Sequence, residues 1–347
     1  MDLIEFRSDN AAGVAPEILA AITAANVGSA LAYGADEWTA RLRDTVRAVF
    51  EHPDAEVFPV ISGTAANSLA LAAMCPPWGA VLCHDTAHIL QNECGATSMF
   101  GGGAVIRGVA GASYRIDPAA LEQSFEATRW GDPHHSQPSV LSLTVPSDYG
   151  TISTPQQISE LTSAAKGRGL SAHLDGARIA NALAVLDCSP AELTWRSGID
   201  AVSLGAMKNG ALSTDAIVCF DPAIAEQLVY RTKRAGHVAS KMRFQSVQLI
   251  AYLADDLWLR LARNSNAAMA RLALGLSKLG IEQLNEPDVN MLFIRVDPAV
   301  ADRMADSGLL FYRMAADVVR LVTSFQTTDD EVDTALNRIE SALAAVG

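Results

Sequence analysis

Ser171-Ala172-His173-Leu174-Asp175-Gly176-Ala177-Arg178 and, further on, Ala201-Val202-Ser203-Leu204-Gly205-Ala206-Met207-Lys208-Asn209-Gly210 decide the fold. Each is a short apolar run of strand length that ends in small residues. In an open α/β sheet, groups at the carboxyl ends of neighbouring strands converge on one crevice. An acid and a lysine delivered there suit pyridoxal phosphate (PLP). The lysine forms a Schiff base with the aldehyde, and the acid keeps the pyridine nitrogen protonated so that the ring accepts electrons. A cap or a surface charge would equally explain a lone Asp or Lys at a strand end, so the pair is weighed with the rest of the chain.

Further candidate strands lie at 57–62, 80–84, 104–108, 139–144 and 215–220, beside 171–175 and 201–205. Most are near-continuous apolar runs, the pattern of strands covered on both faces. Helical segments fall between several of them. Thr154-Pro155 starts one, with Pro at the first helical position and Ile158, Leu161 and Ala165 on one face. The alternation predicts an α/β protein with a mostly parallel sheet of seven strands. After about residue 245 the pattern changes. A long helical stretch from 244 to about 279 leads to short apolar runs at 289–296, 308–314 and 318–325. Thr328-Asp329-Asp330-Glu331 then forms a capping box before Val332, Leu336, Ile339 and Leu343 at helical spacing. The expected division is a large cofactor-binding domain with an N-terminal arm, 1–245, and a smaller α+β domain, 246–347.

A chain of 347 residues suits two domains. Half of it is apolar and 19% charged, enough to build a large core. The net charge of −13 argues against nucleic acid or an anionic membrane as partner, since both need a basic face. A phosphate can still be held locally by backbone N–H groups and a few cations. Residues 57–83 contain no charged side chain, which raises the question of a membrane span. Pro59, Gly63, Asn67 and Pro76-Pro77 interrupt the run, which reads as strand, turn, buried helix and loop. The first ten residues carry early acids and no long apolar core, unlike a signal peptide. Cys75, Cys83, Cys94, Cys188 and Cys219 are odd in number and lack metal-type spacing; buried thiols in a reducing cytoplasm, and no metal site, are expected. No Gly-x-Gly-x-x-Gly follows an early strand, which disfavours a nicotinamide enzyme.

Other residues have two readings each. Ser62-Gly63-Thr64, between a strand and an apolar helix, either caps that helix or presents free N–H groups to a phosphate. His88 suits stacking on a planar ring, proton handling, or a structural hydrogen bond. His134 and His135 lie in a loop before a strand, where histidines are usually inert. Arg178 follows Asp175 by three residues. Arg320, among apolar residues, must find an anion or point outward. Lys233-Arg234 and Arg243 belong to a basic stretch, 231–243, that is either a solvated helix face or a phosphate clamp that can act across a subunit boundary.

Taken in order, Phe6-Arg7-Ser8-Asp9-Asn10, Tyr33-Gly34, Ser62-Gly63-Thr64, the His88 segment, His173 to Arg178, Ser203 to Gly210 and Val319-Arg320-Leu321-Val322-Thr323-Ser324 resemble the low-specificity L-threonine aldolases. These are PLP enzymes of the aspartate aminotransferase fold, fold type I, and the resemblance spans essentially the whole chain. It implies that Lys208 forms the Schiff base, Asp175 meets the pyridine nitrogen and His88 stacks on the ring. Ser62, Gly63 and Thr64 would hold the phosphate, with Arg243 as helper; Ser8, Arg178 and Arg320 would hold the substrate carboxylate. Asp132-Pro133-His134, seven residues before Leu141-Ser142-Leu143, matches the family's second active-site histidine. One departure stands out: many members continue with Glu-Asn-Thr-His, where this chain has Thr144-Val145-Pro146-Ser147.

The implied reaction is retro-aldol cleavage of a β-hydroxy-α-amino acid, such as threonine, allo-threonine or phenylserine, to glycine and an aldehyde, with His88 or His134 as the base. A β-eliminating lyase or an aminotransferase of the same fold is the nearest alternative, and a non-catalytic binding protein on the same scaffold is a further one. If 139–144 runs parallel to the strands bearing Asp175 and Lys208, the loop with His134 faces away from their crevice and would reach a neighbour's. A symmetric homo-oligomer with shared active sites, a tetramer by resemblance, is therefore expected.

Overall fold

The computed structural model describes residues 2–346; residues 1 and 347, the outer limits of the two expected domains, lie outside them. Seven strands form the central sheet in the order Glu56–Val60, Asp215–Cys219, Ala201–Leu204, Ser171–Gly176, Gln137–Thr144, Gly79–His84, Val105–Val109. Asp215–Cys219 runs antiparallel to both neighbours, and the remaining pairs are parallel. The expected mostly parallel seven-stranded sheet is what forms. Helices cover both faces, so Ala201–Leu204 and Asp215–Cys219 are buried at every position. That is why these strands read as unbroken apolar runs rather than alternating ones.

The uncharged segment 57–83 becomes the strand Glu56–Val60, the helix Gly63–Met74 and the strand Gly79–His84. Among the described residues no helix is long and apolar enough to cross a membrane. Thr154 starts the helix Pro155–Lys166 with a capping box in which Gln157 answers the Thr154 N–H at 2.9 Å.

Leu141, Leu174, Val202, Val218, Tyr252 and Trp258 belong to the large core. A second core, with Met269, Leu272, Leu292, Ile294, Leu321 and Ile339, fills the space between helices and a four-stranded antiparallel sheet. The helix Leu257–Lys278 contributes to both. The predicted single helix from 244 to about 279 is corrected here to two, Arg243–Leu253 and Leu257–Lys278. Asp255 and Asp256 between them have φ of 50° and 54°, left-handed values that no helix continues through. The run 308–314 likewise splits, into Leu309–Leu310 and Tyr312–Arg313. Leu309–Leu310 pairs in parallel with Ile4–Glu5, and Ile4 and Phe6 bury themselves in the second core. Burying a phenylalanine contributes about 1.5–3 kcal/mol, which ties down the arm just before Asp9.

Two glycines shape the crevice. A Cβ on Gly205 would lie 2.2 Å from the Ala177 carbonyl oxygen, so only glycine lets the turns bearing Arg178 and Lys208 approach so closely. Gly210 ends the Lys208 turn with φ of 107°, a left-handed conformation that favours glycine.

Candidate active site

The parallel strands Ser171–Gly176 and Ala201–Leu204 end side by side, and the helix Gly63–Met74 begins at the same edge of the sheet. Between them lies a cavity of about 220 Å³ lined by Ser62, Gly63, Thr64, Asn67, His88, Glu93, Asp148, Asp175, Arg178, Lys208 and Asp215, among others. The strand order thus brings together Ser62, Gly63, Thr64, His88, Asp175, Arg178 and Lys208 from the sequence-derived set.

Asp175 is buried at the cavity floor. Its Oδ1 accepts the Ala177 N–H at 3.0 Å and its Oδ2 accepts from Asn67 Nδ2 at 2.8 Å. The same Asn67 amide donates to Glu93 Oε1 at 2.9 Å, and Glu93 Oε1 meets His88 Nδ1 at 2.8 Å. His88, Glu93, Asn67 and Asp175 therefore form one polar chain. The Glu93 hydrogen bond raises the His88 imidazole above its ordinary pKa, against the effect of burial. His173, two residues before Asp175 on the same face, is bonded to Ser142 and Ser203; burial lowers it to about 4, so it stays neutral.

Lys208 sits on the single 3-10 turn Met207–Asn209. Asp215 Oδ1 holds that turn through the N–H groups of Ala206 at 2.7 Å and Met207 at 3.0 Å. The nearby Arg178 guanidinium and then burial lower the Lys208 ammonium below its ordinary pKa. A lysine so placed gives up its proton more readily, which suits bond formation with a carbonyl.

Ser62 caps the helix Gly63–Met74, its Oγ accepting the Ala65 N–H at 3.1 Å. The N–H groups of Gly63 and Thr64 meet no protein acceptor among the described residues. Free amides at a helix start, an aspartate at the floor, a lysine of lowered basicity and an imidazole at the rim form the donor set that a phosphorylated pyridine aldehyde requires. The residues present fit that group.

Arg178 is largely buried, its side chain 11% exposed, and makes a two-pronged pair with Asp9, Nε to Oδ2 at 2.7 Å and Nη2 to Oδ1 at 3.0 Å. Asn290 also donates to Asp9 at 3.1 Å. Arg320 lies on the strand Val318–Val322 opposite Phe293, outside the cavity lining but within electrostatic reach of Arg178, Asp9 and Asp148. Its Nη2 donates to the Arg7 carbonyl at 3.1 Å, its guanidinium lies 5.2 Å from the Tyr312 ring, and no carboxylate pairs with it among the described residues.

Three more candidates, besides Arg320, lie outside the cavity lining. Ser8 caps the turn Asp9–Ala11 through the Asn10 N–H, and it is Asn10 that lines the cavity. Arg243 starts its helix and donates to the Val27 carbonyl at 3.2 Å. His134 is exposed in the loop before Gln137–Thr144, a strand parallel to Ser171–Gly176, so it faces the opposite end of the sheet from Lys208. The Tyr33 segment and the basic stretch do meet: Lys233 Nζ lies 4.5 Å from the Tyr33 ring, and both line a groove of about 510 Å³ with Phe58, Val229 and Met242.

Asn67, Glu93, Asp148 and Asp215 escaped the sequence reading. Asn67 was visible as the break in an apolar helix, and Asp215 as an acid opening an apolar strand. Glu93 and Asp148 carry no local signal beyond standing shortly after His88 and within the divergent turn that begins at Thr144.

A family model described as Beta-eliminating lyase matches residues 5–299. The chain is 36% identical over 343 residues to a low specificity L-threonine aldolase of a Pseudomonas species, covering 98% of each. It is 38% identical over 330 residues to one from Pseudomonas aeruginosa, covering 94% of each. The solved structure of a Leishmania major threonine aldolase superposes with a TM-score of 0.90 at 25% identity over 99% of both chains. An aspartate aminotransferase from Thermus thermophilus gives 0.70 at 17% identity, over 98% of this chain and 92% of that one, and shares the fold alone.

Proposed function

The chain belongs to the low specificity L-threonine aldolase family, among the beta-eliminating lyases, and we propose that it cleaves L-threonine, L-allo-threonine and related β-hydroxy-α-amino acids, phenylserine included, to glycine and an aldehyde. It is a PLP-dependent lyase of the aspartate aminotransferase fold. The observation that carries this reading is the meeting of Lys208 and Asp175 in one cavity that also opens on the unpartnered N–H groups of Gly63 and Thr64.

When bound, PLP supplies an electron sink for the pair released from the Cα–Cβ bond. The chain's own groups do the rest. Lys208, in the cavity lining, would hold the cofactor through its amine. Asp175, held by Ala177 and Asn67, keeps a negative charge where a protonated pyridine nitrogen would lie. Ser62, Gly63 and Thr64 would hold the phosphate, with Arg243 of a neighbouring subunit as helper, and His88 would stand against the ring. Arg178 and Arg320, with Ser8, would hold the substrate carboxylate and so fix the orientation of the substrate at Cα. His88 and a neighbour's His134 handle protons.

The same reading gives a homo-oligomer, a tetramer with shared active sites, working in the cytoplasm on a small amino acid. Lys233 over Tyr33, beside a largely apolar groove, supports an interface there. No nucleic acid, membrane or metal takes part. Incubating the PLP-loaded protein with L-threonine, L-allo-threonine and L-phenylserine tests the function. Glycine and aldehyde in equal amounts support it; ammonia and a keto acid would make the chain a β-eliminating enzyme instead.

A further inference from the structure

Asp148 lines the cavity beside His88, Asp175, Arg178 and Lys208, and no part of the account so far uses it. Its Oδ2 is shut off from solvent and has no hydrogen-bond partner among the described residues, though the residue belongs to the cavity lining. An unpartnered buried carboxyl oxygen is costly, and such groups are retained where a ligand completes them.

The turn that bears Asp148 is braced from both sides. Ser147 Oγ lies 2.6 Å from Thr151 Oγ1 and accepts the Thr151 N–H at 3.2 Å. Tyr149 stacks on Tyr114 with ring centroids 3.6 Å apart and on Phe293 at 4.8 Å, and its carbonyl accepts from Asn285 at 3.1 Å. Phe293 is the strand partner of Arg320. A turn held this firmly, and tied to the strand pair that presents Arg320, fixes where Asp148 stands.

Resting on the aldolase reading, we propose that Asp148 is the side chain that receives the proton of the substrate's β-hydroxyl. The O–H bond breaks and its proton passes to an Asp148 oxygen. The oxygen's electron pair forms the C=O of the leaving aldehyde, the Cα–Cβ bond breaks, and its pair stays with Cα. A proton returned to Cα gives glycine, so the step is balanced with no oxidant or reductant. The alternatives in this cavity are poorer acceptors. His88 is already bonded to Glu93, which raises its imidazole above the ordinary pKa; His134 of the same chain faces the far end of the sheet. Burial, and then Asp175, push the Asp148 carboxyl above its ordinary pKa against the pull of His88, Arg178 and Lys208, which makes its ionised form a stronger base.

The test compares PLP-loaded wild type, Asp148→Asn and Asp148→Glu. Asparagine keeps the shape but cannot accept the proton. Cleavage of L-allo-threonine by Asp148→Asn should slow in kcat by about 10²- to 10³-fold. Glycine lacks a β-hydroxyl, so its dissociation constant, read from the visible spectrum of the holoenzyme, should stay within about threefold. Asp148→Glu should recover part of kcat, and the acidic limb of the wild-type pH profile should vanish in Asp148→Asn. Cleavage within about threefold of wild type, or a matching loss of glycine binding, overturns the assignment. A wild type that cleaves no β-hydroxy amino acid overturns the aldolase reading and this inference with it, whereas a cleaving wild type with an equally active Asp148→Asn overturns this inference alone.

Discussion

Asp9 and Arg178, 169 positions apart, form a buried two-pronged ion pair that pins the N-terminal arm to the turn after the Asp175 strand. Burial works against the Asp9 charge, but Arg178, with Lys208 and Asn290, outweighs it and holds the carboxyl below its ordinary pKa.

That pair sets an acid limit on stability. A carboxyl lowered on folding contributes stability that is fully present above its unfolded pKa and is lost as the pH falls through the folded value. Asp9→Asn leaves the Arg178 charge buried without its counter-charge, a change that costs about 3–5 kcal/mol. Denaturant unfolding at neutral pH should show that loss, and the difference from wild type should shrink as the solution is acidified below the ordinary aspartate range. A difference of under about 1 kcal/mol at neutral pH would place the pair in solvent instead.

Arg320→Ala should act on substrate rather than on cofactor. Its guanidinium has no carboxylate partner among the described residues and lies within electrostatic reach of Arg178. Removing a charge-assisted contact to a desolvated carboxylate costs about 2–5 kcal/mol, and partial exposure puts this case near about 2. The KM for amino acids should rise about 30-fold with PLP retained. Loss of PLP with an unchanged KM would make Arg320 a phosphate ligand.

These assignments were legible to different degrees. Asp175 and Lys208 announced themselves because each closes an apolar strand with small residues, and parallel strands bring such ends together without help from distant contacts. The helix-start amides at Gly63 and Thr64 were readable for the same reason. Asn67 and Glu93 were not, since their meaning lies in a bond from Asn67 to Asp175 across 108 positions and another to Glu93. Periodicity also carried the reading of a helix past Ala254-Asp255-Asp256, because apolar spacing resumes after a break that only the left-handed φ values reveal. The pairing of Ile4–Glu5 with Leu309–Leu310 is too short to leave a pattern at all.

His134 provides a test of the shared site. It faces away from Lys208 of its own chain, so each active site should draw it from a neighbour. Lys208→Ala and His134→Ala, each nearly inactive alone, should regain part of the wild-type rate when mixed under conditions where subunits demonstrably exchange. A mixed site would then hold both native residues. A fully active monomer in sedimentation at assay concentration would contradict the arrangement.

Borohydride reduction followed by peptide mapping tests whether Lys208 carries the cofactor. The other lysines stand elsewhere: Lys166 pairs with Asp200 at 2.7 Å, Lys233 lies over Tyr33, and Lys241 and Lys278 are exposed. The reduced pyridoxyl label should fall on the peptide containing Lys208, and Lys208→Ala should take up no label and lose nearly all turnover. Label on Lys166, Lys233, Lys241 or Lys278, or an active Lys208→Ala, would contradict it.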